Sequence, residues 1–194
     1  IKNQTSKFIG PMVAEFADFN KDGKLDIFVG ASGRDADPFP GAQNTILMSN
    51  SDGTYTDSPE LLPQVNNFTH DATVGDINGD GYPDIYAANV STNPGIEGGQ
   101  TIPQLLLSQN GPTFESVNLE GTFFDTTIIT TVDGTGKSNN FYTGSLLVDI
   151  DNDGILELVL GHQGGTLTVS HKNIIVFQDG NGNFQEDTII DLPD

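Results

Sequence analysis

The chain has 194 residues, of which 27 are acidic and 7 basic, for a formal net charge of −20. That balance repels nucleic acid and anionic membranes. The absence of cysteine removes disulfides, thiolate metal sites and a cysteine nucleophile.

No run approaches the length of a membrane-crossing helix, so membrane insertion is not expected. Leu, Ile, Val and Phe make up roughly 28% of the residues, above the ~20% floor under which high charge predicts disorder. A core can form. The chain opens at Ile1-Lys2-Asn3 with neither a Met nor a signal-peptide pattern, which reads as a processed or cut chain.

In chain order, a short strand pattern at 13–17 leads into the acidic loop Asp18-Phe-Asn20-Lys-Asp22-Gly23-Lys24-Leu-Asp26. An apolar run follows at 27–30, then a variable loop, a second apolar run at 45–48, the turn Ser51-Asp52-Gly53 and a polar run at 54–56. Asp-Gly between such runs is a hairpin signal. The same order returns at 71–75, Asp76 to Asp84, 85–88, 104–107, Gln109-Asn110-Gly111 and 113–117. It returns again at 145–148, Asp149 to Glu157, 158–161, 173–177, Gln178-Asp179-Gly180 and 184–190. Each unit reads as a four-stranded antiparallel meander, in the size range of a propeller blade. The units span about 10–62, 68–120 and 141–194, with a Thr/Gly/Asn-rich insertion at 121–140. The fold class is all-β, with three blades in one propeller region.

The three loops share D-x-[DN]-x-D-G-x-x-[DE]. Oxygen side chains at positions 1, 3 and 5 converge on one point, and Gly at position 6 permits the sharp turn. Six to eight such oxygens cage a hard cation, and Ca²⁺ fits best. The candidate ligands are Asp18, Asn20, Asp22 and Asp26; Asp76, Asn78, Asp80 and Asp84; and Asp149, Asp151, Asp153 and Glu157. Main-chain carbonyls are expected from position 7, at Lys24, Tyr82 and Ile155. Position 12 holds Val29, Ala87 and Leu160, where an EF-hand needs Glu, so these are shorter loops between strands. About three Ca²⁺ are expected, and ten of the 27 acids fall in their loops.

These loops and their flanking runs resemble the FG-GAP/VCBS repeats of integrin α-subunit heads and of many secreted bacterial proteins. Val74-Gly75-Asp76-Ile77-Asn78-Gly79-Asp80-Gly81-Tyr82-Pro83-Asp84-Ile85 is similar to that family's consensus. The Phe-Gly and Gly-Ala-Pro signatures are poorly kept, which favours the bacterial type. The resemblance implies propeller blades with one Ca²⁺ between the first and second strands of each. Three blades do not close a ring. Completion is expected from further blades of the same polypeptide or from another chain, including a symmetric dimer of six blades.

The long loops, 31–43, 91–102, 121–140 and 162–172, are expected at the end opposite the acidic loops. Loops on a rigid scaffold commonly carry recognition. Arg34, Asp35, Asp37, Phe39, Glu97, His162 and His171 are the candidate ligand contacts there. No catalytic constellation emerges. The expected function is a Ca²⁺-stabilised extracellular module that binds protein or glycan. Part of a polysaccharide-degrading propeller and a structural subunit of a surface layer are the alternatives.

Overall fold

The computed structural model describes residues 10–34, 40–89, 99–100, 103–117, 142–162, 173–184 and 190–192. Three four-stranded antiparallel sheets carry the fold. The first holds β1 (Pro11–Ala17), β2 (Asp26–Ala31), β4 (Thr45–Ser49) and β5 (Tyr55–Asp57) in that order. The second holds β7 (Thr69–Gly75), β8 (Asp84–Asn89), β10 (Gln104–Ser108) and β11 (Phe114–Val117). The third holds β12 (Tyr142–Val148), β13 (Glu157–His162), β14 (Ile174–Val176) and β15 (Ile190–Asp191). Each is a meander lying inside one of the units read from the repeats. Helical structure among the described residues is limited to the 3₁₀ turn η1 (Pro59–Leu61).

The first strands are longer than their apolar pattern. Each starts two or three residues earlier and breaks register just after its start, at Pro11/Val13, Thr69/Asp71 and Tyr142/Gly144. A bulge inserts one residue into the alternation, so the period-2 signal fails there. Of the third unit's closing run, residues 185–189 lie outside the described residues. Its ends pair as Phe184 with Gln178 and Ile190 with Ile175. The insertion at 121–140 also lies outside them.

Successive sheets stack face to face. Phe28 and Ile46 of the first sheet pack with Ala72, Ile85, Ala87 and Leu106 of the second. Phe19 and Phe114 meet edge to face in the same cluster, with centroids 5.6 Å apart. Tyr86, Ala88 and Leu105 on the other side of the second sheet pack with Leu158, Leu160, Ile174 and Val176 of the third. Being covered on both faces, β8 is buried along its whole length. That explains its uninterrupted apolar run.

The first strands lie beside one another and are tied by polar contacts. Asp71 accepts the main-chain N–H and the hydroxyl of Ser145, and the Thr73 hydroxyl accepts the Leu147 N–H at 3.1 Å.

A third tie lies at the end opposite the acidic loops. β3 (Ala42–Gln43), β6 (Asn66–Asn67) and β9 (Gly99–Gln100) form a small sheet of two-residue strands. Beneath it, Asn44 donates to the Thr69 hydroxyl at 3.0 Å, and that hydroxyl donates to Asn89 at 2.8 Å. Asn44 also accepts the Ala31 N–H at 2.9 Å. All three side chains are buried, so the network satisfies its own members.

Candidate metal centres in the acidic loops

Each acidic loop joins the first strand of its sheet to the second, and the three loops fold alike. Position 6 is glycine with positive φ: +85° at Gly23, +86° at Gly81 and +90° at Gly154. Its N–H donates to the position-1 carboxylate in all three, at 2.8 Å to Asp18, 2.8 Å to Asp76 and 3.1 Å to Asp149. The position-7 N–H donates to the position-5 carboxylate, at 2.9 Å from Lys24 to Asp22, 2.8 Å from Tyr82 to Asp80 and 2.8 Å from Ile155 to Asp153. The position-5 N–H donates to the position-3 oxygen of Asn20, Asn78 or Asp151. The side chains at positions 1, 3 and 5 are thus held around one turn by loop amides. In the third loop, carboxylate oxygens of Asp149, Asp151 and Asp153 lie within 4.8 Å of one another.

The sequence pattern did not reveal a second positive-φ position. Position 4 is left-handed in every loop: Lys21 at +58°, Gly79 at +72° and Asn152 at +63°. Gly and Asn are the residues that adopt this region most readily. Their presence in two of the three loops was the available signal. Lys21 lies over the Tyr82 ring, 3.7 Å from its centroid, so the first loop touches the second.

Position 9 is placed differently from positions 1, 3 and 5. Asp26, Asp84 and Glu157 are almost fully buried and accept main-chain donors. The position-2 N–H reaches each: Phe19 to Asp26 at 3.1 Å, Ile77 to Asp84 at 2.8 Å and Ile150 to Glu157 at 2.9 Å. Asp26 also takes the Ser49 N–H, and Asp84 takes the Ser108 N–H, both at 2.8 Å. The carboxylate therefore joins the loop to the third strand of its sheet. In the third unit, Gln178 stands where Ser49 and Ser108 stand in the others. Its amide donates to the Ile77 carbonyl at 2.8 Å and the Leu156 carbonyl at 3.0 Å, bridging the second and third units.

The charges are poorly neutralised. Burial raises the Asp84 carboxyl above its ordinary value, partly offset by the donors from Ser108, Ile77 and Asn78. Burial raises Glu157 too, and Asp151, Asp153 and Asp149 add to it. Only the first loop has an internal cation: the Lys24 ammonium lies 2.7 Å from Asp22 and lowers that carboxyl.

One oxygen is left over. The Asp76 Oδ1 atom is buried and accepts no hydrogen bond, whereas its counterparts in Asp18 and Asp149 each accept the position-5 N–H at 3.0 Å. A buried anionic oxygen without a donor is costly and fits a cation as its missing partner. The donor set is all oxygen, which suits Ca²⁺ or Mg²⁺ over a transition metal.

Residues 18–87, from the first aspartate of the first loop to the second strand of the second sheet, match the family model of the FG-GAP-like repeat. This stretch is similar to the FG-GAP-like repeat. The third unit lies beyond the matched segment, yet its loop repeats the bonds that the position-5, position-6 and position-7 N–H groups make to positions 3, 1 and 5 in the two loops inside it. No curated protein matches the chain.

Of the candidate ligand contacts at the opposite end, Arg34 is exposed just after β2. His162 is the last residue of β13. Asp35, Asp37, Phe39, Glu97 and His171 lie outside the described residues.

Proposed function

We infer that the chain is a Ca²⁺-stabilised module of propeller-type blades that binds an extracellular protein or glycan. The observation that carries the ion is the Asp76 Oδ1 atom, which is buried and accepts no hydrogen bond. The close carboxylates of Asp149, Asp151 and Asp153 support it in the third loop, because like charges so near one another favour a cation among them. The residues that would hold the ions are those at positions 1, 3 and 5, with position-7 carbonyls and the position-9 carboxylate completing the set. The ion is structural. It neutralises the loop and fixes the turn between the first two strands.

External calcium suits such sites, since extracellular modules bind at about 10⁻⁴–10⁻³ M. Recognition belongs to the opposite end. The small sheet and the Asn44–Thr69–Asn89 network brace the chain there, giving the long loops a rigid base. The test is thermal unfolding with calcium and with chelator. Calcium is expected to raise the melting temperature, and Asp153→Ala to lose part of that gain. An identical melt in both buffers refutes the reading.

A further inference from the structure

The two inter-sheet contacts obey one facing rule. In β8 and β13, the residue after position 9 points to the preceding sheet. Ile85 packs toward the first sheet and Leu158 toward the second. The next residue points onward: Phe28 of β2 packs toward the second sheet and Tyr86 toward the third. Strand register extends these points into rows. The backward rows are Val74–Ile85–Leu106–Ser116 and Leu147–Leu158–Val176. The forward rows are Glu15–Phe28–Ile46 and Thr73–Tyr86–Leu105–Val117. Both contacts pair a forward row with a backward row.

One row of each kind has no sheet against it among the described residues. The first sheet's backward row is Phe16–Ile27–Leu47–Asp57, with Leu47 buried and Asp57 exposed. Phe16 is 56% exposed, and Met12 on the same strand is 52% exposed. The third sheet's forward row is Leu146–Val159–Ile175–Ile190, apolar across all four strands. Leu146 is 55% and Ile190 49% exposed, while Ile175 between them is buried. Leu146 occupies the place held by Glu15 and Thr73 in the forward rows of the other sheets. Clustered exposed apolar side chains mark contact surfaces.

We propose that a second copy of this chain seats its Phe16 row on the Leu146 row, head to tail. The contact continues the two already formed inside the chain, since forward again meets backward. It is heterologous, because neither internal contact pairs like rows, so a two-fold contact of identical faces does not continue the pattern. The inference rests on the sheet faces and not on the ions.

The test is sedimentation of the whole 194-residue chain, in calcium, at tens of micromolar. The wild type is expected to self-associate. Phe16→Asp and Leu146→Asp each place a carboxylate in the contact and weaken it on the order of a hundredfold, so each variant alone is monomeric. Mixed, they form a one-to-one dimer, because each retains the face the other lacks. Far-UV circular dichroism checks that both remain folded. A monomeric wild type overturns the proposal and assigns the faces to further repeats of a longer polypeptide. Self-association of either variant alone overturns it in favour of like-with-like contact. Failure of the mixture to associate overturns it as well.

Discussion

Replacing Asp84 separates the carboxylate that also ties the loop to the sheet from those bonded only within the loop. The residue is fully buried, and its two oxygens accept N–H groups from Ile77 at 2.8 Å, Asn78 at 3.3 Å and Ser108 at 2.8 Å. Asp84→Ala strands three donors, each costing ~1–3 kcal/mol when left buried and unsatisfied. Part of that is offset, because the ionised group is itself disfavoured by burial and water can enter the space left by the side chain. The net loss is about 3 kcal/mol, a large share of the ~5–15 kcal/mol that holds a typical domain.

Asp84→Asn keeps one acceptor oxygen but turns an amide toward a donor, for a loss of about 2 kcal/mol. Asp80→Asn is the control. Asp80 is exposed and its contacts are to the Tyr82 N–H and the Asn78 amide, so its loss in chelator stays within ~0.5 kcal/mol. The assay is urea unfolding followed by far-UV circular dichroism, in chelator and in calcium. In calcium the Asp80 variant loses stabilisation that it did not lose in chelator. If Asp84→Ala costs less than ~1 kcal/mol in chelator, or Asp80→Asn costs as much as Asp84→Ala there, the division of roles is wrong.

Three further outcomes are expected. Burial, then the nearby Asp71, raises the Glu15 carboxyl above its ordinary 4.5, so ionised Glu15 opposes folding. That cost exists above the raised value and vanishes as pH falls below 4.5. Glu15→Gln therefore melts higher than the wild type at neutral pH, with a gap that closes on acidification; a pH-independent gap contradicts the assignment. Leu158→Ala, fully buried between the second and third sheets, should cost ~2–5 kcal/mol in denaturant unfolding. A loss under ~1 kcal/mol means that contact is not packed as described. Gly154→Ala meets no neighbouring atom but sits at φ +90°, so backbone strain alone should cost ~1–2 kcal/mol. A neutral result places the turn elsewhere.

The acidic loops and the four-strand order of each unit were legible because both rest on local signals. Asp and Asn at alternate positions with Gly at position 6, and apolar runs separated by Asp-Gly or Asn-Gly, mark them without reference to the rest of the chain. What was not legible depends on distant partners. The two-residue strands β3, β6 and β9 are too short to carry a pattern, and they exist because three separate loops meet. The ties from Ser145 to Asp71 and from Gln178 to Ile77 span 74 and 101 residues. The position-9 carboxylates read as equal members of a cage, but burial against the third strand gives them main-chain donors as well. The facing rule was hidden for another reason. The run at 85–88 is apolar throughout, so its alternation between two neighbouring sheets leaves no mark in hydrophobicity.

Calcium bound per chain, measured by equilibrium dialysis at low-millimolar free calcium, tests the central reading most directly. Three loops that share the turn and the oxygen side chains at positions 1, 3, 5 and 9 predict three ions per chain, falling toward two in Asp153→Ala. No bound calcium at that concentration contradicts the account.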